Sequence, residues 1–325
     1  RGVPQAATKG ALAASGRYTM TKRFCRRSPT GSRAACPPPP SEKGTTMDLT
    51  YDNTSRMVKT PLATIHINEA GPADAPTIVL LHGSGPGATG WSNFSQNIPA
   101  LAERYHVIAA DMPGWGDSDP VGWRERDHWT NLAQLLDALG IQRASLIGNS
   151  MGGGTAVRFA YEHPERVDAL ITMGAFTGAP TLFGAGDGPT EGLKVLQKGY
   201  REPTFDTMRE LVDVMTYDST FATDALIQER ADMVAAHPEH NRNFLESIGK
   251  RSVVELDEDR VATIAAPTLL FHGRDDRVVH FENSLRLVQL IPNARLVLIN
   301  RCGHWLQIEH AKEFNRTVLA FLSAS

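Results

Sequence analysis

A chain of 325 residues with 41% hydrophobic and 21% charged content lies in the ordinary range of soluble globular proteins and can bury a sizeable core. Its three cysteines, Cys25, Cys36 and Cys302, are too few for a disulfide framework or a four-ligand zinc site and fit a reducing, cytoplasmic setting, while no apolar run approaches the roughly 18 residues of a membrane span. The net charge of -3 divides into a basic stretch over 1–46, with nine Lys or Arg against the single acid Glu42, and a remainder near -11, which offers nucleic acid no basic surface.

Residues 1–46 run through Arg26-Arg27, Ser28 and the prolines Pro37 to Pro40 without apolar periodicity, and disorder is the expectation there. Their Arg-rich, acid-poor composition suits an organelle address, and a non-native extension ahead of Met47 suits it equally. Beyond Leu62, short β-rich runs at 63–67, 77–81, 106–110, 144–147 and 169–172 alternate with helical spacing at 91–103 and 127–139, the latter stopped by Gly140. A further helix follows Gly152 and ends near His163-Pro164. After Ala175 the strand signal vanishes until about Ala266, then returns at 267–271 and 294–299, with helices at 281–290 and 311–322. The expected fold is therefore α/β, an α/β-hydrolase-like, mostly parallel sheet with helices on both faces, built from 47–175 and 261–325 and interrupted by an inserted α-helical cap over 176–260.

Four elements carry chemistry. Ser150 sits in Gly148-Asn149-Ser150-Met151-Gly152, between a strand and a helix, where small neighbours permit a sharp turn that projects the hydroxyl and aims the Met151 amide at a developing oxyanion. The loop His82-Gly83-Ser84-Gly85-Pro86-Gly87 lacks the ending of a P-loop and the spacing of a dinucleotide fingerprint, and on this fold it brings a second oxyanion amide, with Ser84 the best-placed donor and His82 a structural hydrogen-bonder. Gly273-Arg274-Asp275-Asp276-Arg277 and Cys302-Gly303-His304-Trp305 each follow a strand, at the carboxyl end where open α/β sheets place their sites. The chain order Ser, Asp, His makes His304 the general base for Ser150, with Asp276 as its orienting carboxylate and Asp275 as competitor. Cys302 reads as a buried structural thiol, and no His and carboxylate spacing suggests a metal.

With these motifs in view, residues 53–322 resemble the meta-cleavage product hydrolases, carbon-carbon bond hydrolases of aromatic and steroid-ring degradation. The resemblance rests on Leu81 to Ala88 followed by Trp91 and Asn93-Phe94, on Gly148 to Gly153, on Gly273 to Arg277 and on Cys302 to Trp305. It implies a small-molecule dienol carboxylate substrate of the 2-hydroxy-6-oxo-hexa-2,4-dienoate type, cleaved after ketonisation to a carboxylic acid and 2-hydroxypenta-2,4-dienoate, with neither metal nor organic cofactor. It also implies a homo-oligomer, dimer or larger, and a cap arginine for the substrate carboxylate, aligned with Arg230, while Asn93, Asn149 and Trp305 complete the polar end of the site. One departure is His280, which stands where the family usually has Pro. Two other readings keep the fold: a carboxylesterase with the same triad, and a non-catalytic ligand receptor.

Overall fold

The computed structural model describes residues 48–178, 181–184, 188–248, 250 and 256–324; the disorder expected for 1–46 lies outside them. The strands are β1 (Ser55–Lys59), β2 (Thr64–Ala70), β3 (Thr77–Leu81), β4 (His106–Ala110), β5 (Ala144–Asn149), β6 (Val167–Met173), β7 (Thr268–Gly273) and β8 (Ala294–Ile299). They form one sheet in the order β1-β2-β4-β3-β5-β6-β7-β8, antiparallel where β2 meets β1 and β4 and parallel from β4 to β8.

The α-helices, in chain order, are α1 (Tyr51–Thr54), α2 (Gly90–Phe94), α3 (Ile98–Ala102), α4 (His128–Ala138), α5 (Met151–Glu162), α6 (Glu191–Arg201), α7 (Phe205–Met215), α8 (Asp224–Ala236), α9 (Pro238–Ser247), α10 (Glu258–Val261), α11 (Glu282–Leu290), α12 (Leu306–Glu309) and α13 (Ala311–Leu322). Strand alternation sorts the core into layers. Val79, Leu81, Leu146 and Leu270 pack with α4, α5 and α11 residues such as Leu136, Phe159 and Leu287. Ile78, Leu80, Ile147 and Phe271 face the other way, onto Phe94, Ile98, Leu101 and Phe314.

Two differences from the sequence reading have clear physical causes. Helical spacing over 91–103 is divided into α2 and α3, because Pro99 supplies the start of a new helix after Asn97 and cannot continue an old one. Strand β1 escaped notice because only Val58 of its residues is buried, so the edge strand carries no apolar alternation.

Helices α6 to α9 occupy the chain between β6 and β7 and share a separate apolar cluster in which Leu196, Met208, Leu211, Met215 and Ile227 pack on Val278, Val279, Trp305 and Ile308. Those last residues belong to the loops and short helix that follow β7 and β8. The helical segment therefore lies over the carboxyl ends of the strands.

Candidate active site

Ser150 sits between β5 and α5 with φ 53° and ψ -115°, a positive-φ conformation that L side chains adopt at a cost. Its amide donates to Met173 O at 2.9 Å, which pins the turn to the neighbouring strand. A Cβ on Gly148 would strike the Gly152 backbone, and one on Gly152 would strike the Leu81 carbonyl, so both glycines are required by backbone contact at the elbow.

His304 and Asp276 come from separate loops and meet, His304 Nδ1–H donating to Asp276 Oδ2 at 2.7 Å. The other oxygen, Asp276 Oδ1, accepts the amides of Val278 at 2.7 Å and Val279 at 2.9 Å. Burial pushes the carboxyl upward, but the neighbouring His304 and the hydrogen bonds from His272 and His304 outweigh it and hold Asp276 well below the usual carboxylate range. Asp275 points elsewhere, accepting the Arg301 amide at 2.7 Å. The imidazole is 3% exposed, and its backbone is held on both sides, the amide by Met215 O at 2.7 Å and the carbonyl by Asn149 Nδ2 at 3.3 Å.

One cavity is lined by Ser84, Asn93, Asn149, Ser150, Arg230, His304 and Trp305 together. Asp276 stands behind His304, and Met151 opens α5 immediately after the nucleophile candidate. Tyr200 fixes the Ser84 loop by donating its hydroxyl to Ser84 O at 2.7 Å. Asn149 spends its side-chain N–H groups on Met173 O and His304 O, so it ties the elbow to the base loop; Asn93 donates to Thr89 O at 3.1 Å and leaves Oδ1 without a partner.

Arg230, on α8, is 1% exposed, which excludes a solvated helix residue. One guanidinium nitrogen donates to Pro86 O at 2.9 Å, Nε has no partner, and the group stacks over the Trp305 ring. Burial lowers its pKa to about 10. The neighbouring Glu229 acts on it electrostatically only as a lesser effect than burial, so a buried cation stands at the cavity wall.

Several contributors carried no motif. Gly174, with φ 53°, lets the chain pass where a Cβ would lie 2.9 Å from His304 Nδ1. His272, a polar residue at the end of an apolar strand, shares its Nε2–H between Val279 O at 2.8 Å and Asp276 Oδ2 at 3.2 Å. His280 pairs with Glu282 at 2.9 Å, and the contact between Asp276 and His304 is intact beside it. His82 uses both ring nitrogens on backbone, donating to Gly83 O and accepting from the Met112 amide. Cys302 is buried, and burial with nearby carboxylates pushes its thiol far upward, which keeps it protonated.

The described residues that bring metal-ligand atoms within 4.8 Å of one another are His66, Asp111 and Asp117. Their atoms are engaged in holding a turn: His66 Nδ1 lies 2.8 Å from Asp111 Oδ2, which also accepts the Asp117 amide, while Asp117 Oδ1 pairs with His237 and Oδ2 with Tyr51. No helix among the described residues is long and apolar enough to cross a membrane.

This arrangement has the parts for acyl-type chemistry: a hydroxyl on a strained elbow, a base with an ionised orienting carboxylate, and a buried cation at one end of the cavity. Residues 76–311 match the family model described as the alpha/beta hydrolase fold. The chain is 47% identical over 263 residues, 79% of its own length and 90% of the relative's, to a 2-hydroxy-6-oxononadienedioate/2-hydroxy-6-oxononatrienedioate hydrolase of Cupriavidus pinatubonensis. It is 43% identical over 285 residues, 85% and 98% of the two lengths, to a 2-hydroxy-6-oxo-6-phenylhexa-2,4-dienoate hydrolase of Comamonas testosteroni. Among solved structures, the meta-cleavage product hydrolase of Pseudomonas fluorescens IP01 superimposes with a TM-score of 0.74 at 32% identity, covering 83% of this chain and 97% of that one. The chain belongs to the α/β-hydrolase family and, within it, to the meta-cleavage product hydrolases.

Proposed function

We propose that this enzyme hydrolyses the carbon-carbon bond beside the distal ketone of 2-hydroxy-6-oxo-hexa-2,4-dienoate-type ring-fission products. The observation that carries the reading is the buried Arg230 in the same cavity as Ser150 and His304. A guanidinium fork binds a planar carboxylate through paired hydrogen bonds, and a substrate carboxylate would neutralise a charge that burial makes costly. Ordinary esters have no such group.

With the carboxylate on Arg230, the dienol ketonises: the 2-hydroxyl loses its proton, C5 gains one, and a carbonyl forms at C2. Ser150 then attacks the C6 ketone as His304 takes its proton, and the amides of Ser84 and Met151 receive the oxyanion. The C5–C6 bond breaks with its electron pair passing through the C3=C4 double bond to the C2 oxygen, which receives the proton held by His304 and leaves as 2-hydroxypenta-2,4-dienoate. The acyl group left on Ser150 is released by water activated by His304, so one water is consumed and a carboxylic acid and 2-hydroxypenta-2,4-dienoate result. Asp276 stabilises the imidazolium throughout. The substrate supplies its own electron sink, so the scheme calls for no metal or organic cofactor.

In this reading residues 176–260 act as a cap that shields the site from water, and Asn93, Asn149 and Trp305 orient the polar end. The reading carries with it a cytoplasmic enzyme, assembled as a dimer or larger, without nucleic-acid or membrane partners. The test is incubation with a yellow ring-fission product. Loss of dienolate absorbance with release of one acid per turnover is expected; persistence of the colour while simple esters are turned over quickly would make the protein an esterase. The substrates named for the two relatives differ beyond the ketone, and kcat/KM across carboxyalkyl, alkyl and phenyl products measures which group this cavity takes.

A further inference from the structure

The loop that carries His304 is held on one side by the carboxyl end of α7. Met215, the last residue of α7, accepts the amides of both His304, at 2.7 Å, and Trp305, at 3.1 Å. A helix leaves its final carbonyls without intrahelical donors, and here the base loop supplies them. Gly303 lies so close that a Cβ would sit 2.7 Å from Met215 O. On the Asp276 side, the Arg277 guanidinium donates to Asp213 O and Thr216 O at the same helix end.

One side chain spans this junction. Glu309, the last residue of α12, accepts the Gly303 amide at 2.6 Å on one oxygen and the Tyr217 and Asp218 amides at 2.8 and 3.1 Å on the other. We infer that Glu309 is a positioning residue for the general base, locking the His304 loop to the chain leaving α7 so that the helical segment sets the place of the imidazole. It touches neither the cavity nor the hydrogen bond between Asp276 and His304. Its effect is transmitted through the backbone of the residue immediately before His304.

The arrangement also joins substrate binding to base alignment. Arg230, on α8, and Met215, at the end of α7, line the same cavity, and Leu211, Met215 and Ile227 of these two helices pack in one cluster with Trp305. A shift of α7 is thereby a shift of His304.

The inference rests on the assignment of Ser150, His304 and Asp276 proposed above, and the experiment separates the two. Glu309→Gln keeps the size but turns one acceptor into an N–H donor facing amides. Glu309→Asp keeps the charge but is too short to span the junction. Both are expected to lower kcat on the dienolate about tenfold or more, the scale of a sub-ångström to ångström misplacement of a catalytic group, with KM within about twofold. The low-field proton resonance of His304 Nδ1–H is expected to shift or broaden in step. Lys198→Ala, which removes the exposed ion pair between Lys198 and Glu210 that ties α6 to α7, is the control and should change neither quantity.

Unchanged kcat and an unchanged resonance in folded Glu309→Gln or Glu309→Asp overturn the inference. So does a change confined to KM or to melting temperature, or an equal loss in Lys198→Ala. If Ser150→Ala still consumes the dienolate, the triad assignment itself is wrong; if Ser150→Ala is inactive while both Glu309 variants are normal, only the positioning role fails.

Discussion

The guanidinium of Arg230 lies 4.5 Å from the centroid of the Trp305 ring, so the buried cation of α8 and the residue next to the candidate base form a cation-π pair at the cavity wall. The indole face stabilises the positive charge, while one guanidinium N–H group donates to Pro86 O. Trp305, 3% exposed, is thereby both an apolar wall and a support for the guanidinium.

Arg230→Lys should lower kcat/KM for a carboxylate-bearing ring-fission product by roughly one to two orders of magnitude, the value of a charge-assisted pair of hydrogen bonds. Turnover of a neutral p-nitrophenyl ester by the same variant should change by less than about threefold, because that substrate offers nothing to the fork. Equal losses on both substrates would show that Arg230 supports the fold rather than the carboxylate.

Asp276→Asn should reduce kcat by about four orders of magnitude, because an amide no longer stabilises the imidazolium or enforces its tautomer. Asp275→Asn, which removes a charge from a group bonded to the Arg301 amide, should leave kcat within a few-fold. Steady-state kinetics with the two variants side by side distinguishes the carboxylates, and comparable losses would contradict the roles assigned.

Gly174→Ala should cost stability by about 1 kcal/mol or more, since φ 53° is strained for alanine. It should reduce kcat beyond that, because the new Cβ would come 2.9 Å from His304 Nδ1 and displace the ring. Melting temperature and kcat measured together separate the two effects; normal kcat in the folded variant would mean the loop yields instead of the imidazole.

His128 is buried, neither ring nitrogen has a partner among the described residues, and burial first, then Arg126 and His82, depress its pKa well below the ordinary value. The folded protein therefore holds the ring neutral while the unfolded chain protonates it near pH 6.5. Stability should be full above that pH and fall as pH drops through 6 and 5, with a slope of up to about 1.4 kcal/mol per pH unit for this group. His82 adds to the trend in the same direction. Denaturant melts from pH 8 to pH 5 read the slope, and His128→Leu should flatten it; an unaltered slope in that variant would assign the effect elsewhere.

The sequence by itself determined the alternation of the parallel strands with helices, the interruption after Ala175 and the residues of the four chemistry-bearing elements. Each of these is local: strand alternation, Gly148 and Gly152 around Ser150, and Gly273 and Gly303 ahead of the candidate acid and base all lie within a few residues of what they shape. What only the tertiary structure decided depends on groups distant in the chain. Adjacent carboxylates are indistinguishable in sequence, and Asp276 is the one facing His304 because Val278, Val279 and His272 take up its other bonding positions. Arg230 has a low-contrast helical context, since α8 packs without a clean apolar stripe, and its burial on Trp305 comes from a loop 75 positions further along. Glu309, Arg277 and Gly174 act through backbone amides, carbonyls and a positive φ, quantities that every residue shares and no motif encodes.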